Sequence, residues 1–327
     1  MTKKVRYGIL STAQIARNQH IPAIRESVNA EVIAISSRSQ TTAEGYAAEL
    51  GIGSAYGSYD AMLADSRVDA VINALPNSMH CEWTVKAAEA GKHILCEKPL
   101  AVTVDQAQIM LDAARANGVL LLEGFTPRYE QQMVFAQKLL RDGVIGEVKI
   151  IRSELTYTIQ DWNNDSRVKS ELAGGSLMDA GCYCVNAIRF LIEQEPQSVV
   201  GYQRTHATAG VDSTFVGLMQ FKDGCVGYVA TGMEQPFRAC CEIIGSTGRI
   251  EIPGMFGGAK VKVQSGSTEE THGFETSNRF CLQIEHFSNC ILNDLPLKFP
   301  PEDGLANTRV LVALKQAALT GCQIPVV

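Results

Sequence analysis

The chain has 327 residues, 46% of them hydrophobic and 20% charged, as in an ordinary globular protein long enough for two domains. Its formal net charge of −6, with no dense cluster of lysine and arginine, argues against a nucleic-acid-binding surface. No apolar stretch approaches the ~20 residues of a membrane helix, and no secretory segment precedes the first predicted strand. We therefore expect a cytoplasmic protein with neither nucleic acid nor membrane as a partner.

The first part of the chain alternates short apolar strands with helical patterns, which is typical of βαβ units around a parallel sheet. The predicted strands are Val5–Leu10, Glu31–Ser36, Ala70–Ala74, His93–Cys96 and Val119–Leu122. The predicted helices lie near Gln14–Arg25, Ala43–Glu49, Tyr59–Ala64, Met79–Ala90 and Val104–Asn117. Gly91 and Gly118 follow the last two helices at the position of a helix C-cap.

After Arg128 the strands follow one another, separated by turn signals such as Lys222-Asp223-Gly224. The predicted strands here are Glu147–Ile159, Ser198–Thr205, Ser213–Phe221, Val226–Thr231, Ala239–Ile244, Arg249–Ile252 and Lys260–Val263. The predicted helices are Gln131–Arg141, Met178–Ile192, Asn278–Asn293 and Pro301–Leu319. We predict an α/β domain over residues 1–122 and an α+β domain with a large, mainly antiparallel sheet over residues 123–327.

The ten cysteines follow neither a metal-binding nor a disulfide pattern. Cys96, Cys225 and Cys290 lie in apolar runs, while Cys182-Tyr183-Cys184 and Cys240-Cys241 lack the C-x-x-C spacing. The six histidines are scattered along the chain. We expect reduced, structural thiols and no metal site.

The first strand leads into Ser11-Thr12-Ala13-Gln14-Ile15-Ala16 and a helix, where a dinucleotide-binding fold places its glycine-rich turn. Backbone N–H groups and the helix N-terminus approach a pyrophosphate there. Small residues, Ser11, Ala13 and Ala16, occupy the three glycine positions. Small residues also open ordinary helices, which is the structural alternative. We take Ser11, Thr12, Ala13, Gln14 and Ile15 as candidate cofactor-binding residues of an N-terminal Rossmann domain.

The second strand ends at Ser36-Ser37-Arg38, where an NAD enzyme usually carries an acidic residue for the ribose 2′-hydroxyl. A carboxylate would repel a 2′-phosphate, whereas serine and arginine can bind one. Ser37 and Arg38 therefore favour NADP, with NAD as the second candidate. The alternative is that Arg38 is an ordinary solvated loop residue.

Two further strand ends carry candidate residues. Leu75-Pro76-Asn77, with His80 one turn into the next helix, occupies the loop that lies beside the nicotinamide in this fold. Glu97-Lys98-Pro99 follows the strand His93–Cys96 at the sheet edge where ligands bind. A lysine there can reach a substrate and have a shifted pKa. Ordinary turn residues and a solvated lysine are the alternatives.

A second constellation begins at Gly174-Gly175. On an α-helix Asp179 and Tyr183 are four residues apart and share one face, with Gly181 between them. A tyrosine near a lysine can move a proton at neutral pH because the ammonium lowers the pKa of the phenol. Most Asp/Tyr pairs on helices are structural, which is the alternative interpretation.

Together, these motifs resemble the Gfo/Idh/MocA family, the glucose–fructose oxidoreductase and inositol dehydrogenase group, over essentially the whole chain. Tyr183, where many inositol dehydrogenase-like members have histidine, is similar to the branch of glucose–fructose oxidoreductase and of NADP-dependent xylose and dihydrodiol dehydrogenases. The motifs that carry the resemblance are Ser11–Ala16, Pro76-Asn77 with His80, Gly91-Lys92-His93 leading into Glu97-Lys98-Pro99, Gly174-Gly175 through Asp179-x-Gly181-x-Tyr183, and Pro301–Asn307.

The resemblance implies that Lys98 touches substrate and nicotinamide, that Asp179 binds a substrate hydroxyl, and that Tyr183 is the acid/base. It also implies that Glu97 and Arg167 lie near the cofactor and that the bond between Lys98 and its proline is cis. The implied function is NADP-dependent hydride transfer between nicotinamide and a sugar, a polyol or a dihydrodiol, in a homodimer or homotetramer. A catalytically silent sensor or regulator on the same fold is the alternative.

Two positions depart from the family pattern. Ser11 replaces the usual first glycine of the nucleotide turn. Glu130, in the run Glu123–Gln131, stands where sugar-oxidising relatives often have histidine. The first departure bears on cofactor affinity, and from Glu130 we expect a substrate that differs from theirs.

Overall fold

The computed structural model describes residues 3–258 and 260–327. Its strands are β1 (Val5–Leu10), β2 (Ala30–Ser36), β3 (Ser54–Tyr56), β4 (Ala70–Asn73), β5 (His93–Cys96), β6 (Leu121–Glu123), β7 (Val148–Thr158), β8 (Ser198–Thr205), β9 (Asp212–Gln220), β10 (Val226–Gly232), β11 (Glu234–Gly245), β12 (Gly248–Ile252), β13 (Lys260–Ser265), β14 (Thr268–Gly273) and β15 (Ile324–Pro325). Its α-helices are α1 (Ile21–Glu26), α2 (Gln40–Leu50), α3 (Tyr59–Leu63), α4 (His80–Glu89), α5 (Val104–Ala116), α6 (Gln131–Arg141), α7 (Cys182–Ile192), α8 (Arg279–Asn293) and α9 (Pro301–Thr320). Two π-helical turns, Ala16–His20 and Leu177–Gly181, directly precede α1 and α7.

The chain forms two compact units. The first comprises Met1–Gly124 and Asn278–Leu305, and the second comprises Phe125–Ser277 and Ala306–Val327. This division differs from the predicted one, which assigned all residues from 123 onward to the second domain. The segment that differs contains α8, whose residues Phe280, Ile284 and Phe287 pack among the buried residues of β1 and β2. The functional domain boundary at residues 122 and 123 stays a prediction.

The first unit contains a six-stranded parallel sheet in the order β3-β2-β1-β4-β5-β6, the Rossmann order. The α/β prediction for this part is confirmed. Its register aligns the last residues of five strands at one edge, which we call the carboxyl edge. These residues are Leu10, Ser36, Asn73, Cys96 and Glu123. The segments after each of them therefore emerge side by side.

Local signals explain the helices of this unit. Ser39, Ser58 and Thr103 cap α2, α3 and α5 by accepting a backbone N–H with their side chains. Gly91 and Gly118 have φ values of 70° and 63°, which confirms their predicted place at helix C-termini. The sequence did not predict β3, a three-residue strand that is too short to show a period.

The second unit contains a nine-stranded sheet in the order β14-β13-β12-β11-β7-β10-β9-β8-β15. Its neighbours pair antiparallel except β7 and β10, which pair parallel. Residues of α6, α7 and α9, such as Met133, Ile188 and Leu314, share a buried core with Phe215 of β9. The prediction of a large, mainly antiparallel sheet is thus confirmed. None of the helices described is both long and apolar enough to cross a lipid bilayer.

Candidate active site

The turn after β1 is built around Ser11, which has a φ of 102°. That backbone conformation favours glycine, and a serine adopts it at a cost of about 1–3 kcal/mol. Its Oγ accepts the Ala13 N–H at 3.1 Å and donates to the Ala74 carbonyl at 2.9 Å. Its backbone N–H donates to the Ser36 carbonyl at 3.2 Å. Ser11 therefore ties the turn to the ends of β2 and β4.

The rest of this turn fits a dinucleotide pyrophosphate. Ala16 is 1% exposed and lies in the core, where a larger side chain would force the helical turn away from the sheet. Thr12, Ala13 and Ile15 are half-buried and Gln14 is exposed. Small side chains and the N–H groups that begin a helix leave room and donors for an anion.

The end of β2 presents Ser37 and Arg38. The Ser37 N–H donates to the Tyr56 carbonyl at 3.0 Å, and its Oγ accepts the Ser39 N–H at 3.4 Å. Arg38 is exposed. Burial raises the pKa of Tyr59, and the charge of Arg38 opposes that shift, so the guanidinium lies in the neighbourhood of this phenol. A cation thus stands at the carboxyl edge next to the Ser11 turn.

The loop after β4 is held by a buried histidine. Pro76 and Asn77 are half-buried, and Asn77–Met79 forms a 3-10 turn before α4. The His80 ring is fully buried, with Nε2 2.8 Å from the Leu75 carbonyl and Nδ1 2.9 Å from the Pro99 carbonyl. Burial lowers the pKa of His80. The ring thus connects two carboxyl-edge loops, and its predicted cofactor contact stays a prediction.

The segment after β5 begins with a buried carboxylate. Glu97 is 7% exposed, with Oε1 2.7 Å from His20 Nε2, and its Oε2 accepts the Lys98 N–H at 3.2 Å. Burial alone would raise the pKa of Glu97, but the His20 hydrogen bond and the Lys98 charge outweigh it and lower that pKa. Lys98 is half-buried, and its bond to Pro99 is cis, as the resemblance implied.

Two residues that the sequence did not predict, His20 and Glu123, also support the segment around Lys98. His20 belongs to the π-helical turn before α1, and nothing in a helical pattern marks it as the partner of a glutamate 77 positions later. Glu123 is 3% exposed and accepts the Leu100 N–H at 2.7 Å through Oε1. The position of Glu123 at the end of β6 is a signal that could have marked it as a site residue, because β6 ends at the same carboxyl edge as β5. His20, His80 and Glu123 thus fix the backbone on both sides of Lys98.

In the second unit, Asp179 lies in the π-helical turn and Tyr183 in the first turn of α7. The sequence predicted one regular helix from Met178, so this local geometry differs from the prediction. The Tyr157 hydroxyl donates a hydrogen bond to Asp179 Oδ2. π-Helical turns are rare and frequently occur at functional sites.

The start of the π-helical turn is capped by Asp212. Its Oδ2 accepts the Ser176 Oγ–H and the Leu177 N–H, both at 2.7 Å. A Cβ at Gly175, where φ is 117°, would collide with the same carboxylate. Burial raises the pKa of Asp212. Glycine is therefore needed at position 175 because the backbone there lies close to the capping carboxylate of Asp212.

Arg167 lies near Asp179. Its guanidinium donates to Asp165 at 2.9 and 2.6 Å and stands 5.2 Å from the centre of the Tyr157 ring. The hydrogen bond with Asp165 raises the pKa of Arg167, and the charge of Asp179 adds to the shift. A Cβ at Gly174 would collide with the Arg167 carbonyl. Asp165, Arg167, Tyr157 and Asp179 therefore form one polar cluster.

The Tyr183 ring is half-buried between the edges of two aromatic rings. Its centre is 5.5 Å from that of Phe125 and 5.1 Å from that of Phe256, at interplanar angles of 77° and 86°. The predicted residues thus form two groups, one along the carboxyl edge of the first unit and one around the π-helical turn of the second. Their catalytic and binding roles stay predictions.

Comparison with protein families gives two matches. Residues 5–125 match the Gfo/Idh/MocA model described as an oxidoreductase family with an NAD-binding Rossmann fold. Residues 133–251 match the model of the Gfo/Idh/MocA C-terminal domain. Together the two matches reach from β1 into β12.

Characterised relatives are similar over nearly their whole length. The chain is 31% identical over 323 residues to D-xylose 1-dehydrogenase (NADP(+)) 2 of Haloferax volcanii, covering 97% of this chain and 98% of the relative. It is 29% identical over 325 residues to trans-1,2-dihydrobenzene-1,2-diol dehydrogenase of Xenopus laevis, covering 96% and 97%.

Two solved structures share the fold throughout. Aldose-aldose oxidoreductase from Caulobacter crescentus, complexed with glycerol, superposes with a TM-score of 0.91 at 29% identity, over 99% of this chain and all of the other. A 3-ketoreductase from Actinomadura kijaniata, in complex with NADP and TDP-benzene, superposes with a TM-score of 0.90 at 27% identity, over 96% and 98%.

Proposed function

The chain belongs to the Gfo/Idh/MocA oxidoreductase family, and we propose that it is an NADP-dependent enzyme that transfers hydride between nicotinamide and a sugar, a polyol or a dihydrodiol. One observation carries the proposal. The register of the parallel sheet aligns the ends of β1, β2, β4 and β5, so the segments of Ser11, Arg38, Pro76 and Lys98 share one edge. That edge is where a Rossmann domain binds its dinucleotide.

The cofactor is held, in this proposal, by residues of the carboxyl edge. The turn Ser11–Ile15 binds the pyrophosphate, and Ser37 with Arg38 binds the 2′-phosphate that distinguishes NADP from NAD. Leu75, Pro76, Asn77, Glu97 and Lys98 lie toward the nicotinamide, and His80 holds their loops. Arg167 is the proposed contribution of the second unit. The nicotinamide supplies the hydride acceptor or donor when it is bound.

The proposed chemistry needs three side chains to act on one substrate. In the oxidative direction Tyr183 takes the proton of the substrate hydroxyl, and Lys98 favours the phenolate form of that tyrosine. Asp179, held by the Tyr157 hydroxyl, accepts a hydrogen bond from a substrate hydroxyl and positions the reacting carbon.

The assembly is proposed to be a homodimer or homotetramer. Exposed apolar side chains support it, since they lie on neighbouring strands β8, β9 and β10 in the second unit. They are Val200, Tyr202, Leu218 and Val226. Light scattering after size-exclusion chromatography measures the oligomeric state.

The cytoplasmic location of the protein stays a prediction.

A substrate panel tests the function. Purified protein is incubated with NADP or NAD and with aldoses, polyols and trans-dihydrodiols, and reduced nicotinamide is followed by absorbance; the matching carbonyl compounds are tested with NADPH. We expect turnover with at least one class and a preference for NADP. Tight NADPH binding without turnover in either direction, over the whole panel, would instead identify a sensor or regulator.

A further inference from the structure

Phe256 lies in a short segment of the second unit, between β12 and β13, whose position is fixed on both sides. On one side, the Met255 N–H donates to the Ala239 carbonyl at 2.9 Å, and the Met255 side chain is 1% exposed. On the other side, the Gly257 N–H donates to Glu130 Oε1 at 2.9 Å. The ring between them packs edge-on against Tyr183, with centres 5.1 Å apart.

Glu130 is a buried carboxylate directed at this segment. It is 2% exposed, and its Oε2 accepts a hydrogen bond from Gln132 Nε2 at 3.1 Å. Burying a charge is costly unless hydrogen bonds compensate it, and a bond from a backbone N–H to a carboxylate is about twice as strong as a neutral one. The hydrogen bonds from the Gly257 amide and from Gln132 therefore compensate the burial of the Glu130 carboxylate.

The backbone of the segment that carries Phe256 is restricted in its conformation. Gly257 has a φ of 62°, a conformation that side chains other than glycine rarely adopt. A Cβ on Gly254 would lie 2.9 Å from Gly258 Cα, so the two ends of the turn are closely packed. Displacing the Gly257 amide therefore displaces the neighbouring Phe256.

We propose that Glu130 is a positioning residue for Tyr183, acting through the Gly257 amide and the edge of the Phe256 ring. The inference rests on the proposed function, in which Tyr183 is the acid/base. An edge-on aromatic pair is attractive beyond its buried area, so the Phe256 ring favours one orientation of the Tyr183 ring. A misplacement of about 1 Å in a reacting group can cost 10²-fold in rate. Glu130 then acts on kcat without touching the substrate.

A double-mutant cycle tests the inference. Glu130→Ala removes the acceptor for the Gly257 amide, Glu130→Gln keeps an oxygen there, and Phe256→Leu removes the aromatic edge but keeps apolar bulk. We expect Glu130→Ala and Phe256→Leu each to lower kcat by about 10–100-fold, with the substrate KM and the NADPH Kd nearly unchanged. Glu130→Gln should retain most of the wild-type kcat, because the amide oxygen can still accept the Gly257 N–H. The double variant is no slower than the slower single variant, because both remove the same support.

Other outcomes overturn the inference. Multiplicative effects of the two substitutions on kcat would mean that Glu130 does not act through Phe256. A raised KM with an unchanged kcat in Glu130→Ala would mean that Glu130 contacts the substrate. If Glu130→Ala does not fold, Glu130→Asp takes its place in the cycle, because the shorter side chain keeps the charge but withdraws the acceptor from the Gly257 amide, and the same criterion applies.

A control and a separate variant keep the two proposals distinguishable. Glu242→Ala removes a carboxylate of the same unit that pairs with Arg152 at 2.9 Å, and it should leave kcat unchanged. If Tyr183→Phe retains wild-type turnover, the proposed function fails. If Tyr183→Phe is inactive but Glu130 and Phe256 are uncoupled, only the positioning inference fails.

Discussion

Ser11 is a residue whose hydrogen bonds offset an unfavourable backbone. The position has a φ of 102°, for which glycine is the natural choice, yet the serine hydroxyl makes hydrogen bonds to Ala13 and Ala74. A glycine would adopt the conformation without strain but would lose both bonds. The departure from the glycine pattern is therefore compensated locally.

Replacing Ser11 separates these two effects. Ser11→Ala keeps the backbone strain and loses the hydrogen bonds, so the free energy of unfolding should fall by about 1–3 kcal/mol. Ser11→Gly loses the same bonds but relieves the strain, and it should lie between alanine and wild type. Urea denaturation of the cofactor-free protein measures all three. An alanine variant as stable as wild type would contradict this account of the turn.

Arg38 carries the prediction on cofactor choice. Its guanidinium is exposed at the carboxyl edge after β2, where the chain runs Ser36-Ser37-Arg38 and has no acidic residue at the position that holds the ribose in NAD enzymes. Arg38→Ala should weaken the binding of NADPH much more than the binding of NADH, because only NADPH has the 2′-phosphate. Fluorescence titration with both nucleotides gives the two dissociation constants, and Arg25→Ala, on α1, serves as a control for net charge. Equal losses of affinity for NADPH and NADH would contradict the proposed role of Arg38 in binding the 2′-phosphate.

At the scale of elements, the π-helical turn and α7 act as one unit that carries Asp179 and Tyr183. Asp212 caps its start through Ser176 and Leu177, and Thr231 supports Ser176 with a 3.1 Å hydrogen bond. Asp212 is half-buried, and its pKa is raised because the loss of solvent around the carboxylate outweighs these hydrogen bonds. The orientation of both candidate catalytic side chains depends on this cap.

Substituting Asp212 should change stability in a pH-dependent way. Because the folded pKa of Asp212 is raised above its ordinary value of 3.8, the stability that it contributes is complete below that value and is lost as the pH rises through the folded pKa. Asp212→Asn keeps an acceptor oxygen without the charge, so it should lose less stability between about pH 4 and pH 7 than wild type does. Asp212→Ala removes the acceptor and should cost about 1–2 kcal/mol at either pH.

Urea denaturation at the two pH values provides the measurement for the three proteins. Parallel pH dependence in wild type and Asp212→Asn would show that this carboxylate does not titrate with a raised pKa.

At the scale of the whole molecule, the chain leaves the first unit at Gly124 and returns to it at Asn278. Buried strands with nearby turn signals, such as β1 and β5, were predicted with correct bounds because their composition alone specifies them. The assignment of α8 could not be predicted, because an amphipathic helix does not reveal which sheet its apolar face will cover. The same limit applies to His20 and Glu97, whose contact depends on the fold and not on local pattern.

The division into units predicts where core substitutions act. Phe287 of α8 is fully buried in the first unit, and Phe215 of β9 is fully buried in the second. Phe287→Ala should cost about 3–5 kcal/mol and should increase hydrogen exchange in β1 and β2 more than in β9 and β10. Phe215→Ala is the matched control and should show the reverse. Faster exchange mainly in β9 and β10 of Phe287→Ala would place α8 with the second unit.

The central claim is that Tyr183 moves the substrate proton in an NADP-dependent hydride transfer. The most direct test compares wild type with Tyr183→Phe, which keeps the ring between Phe125 and Phe256 but removes the hydroxyl. With the substrate found in the panel, kcat should fall by about 10²–10⁴-fold while the NADPH dissociation constant stays nearly the same. Turnover of the phenylalanine variant close to that of wild type would contradict the claim.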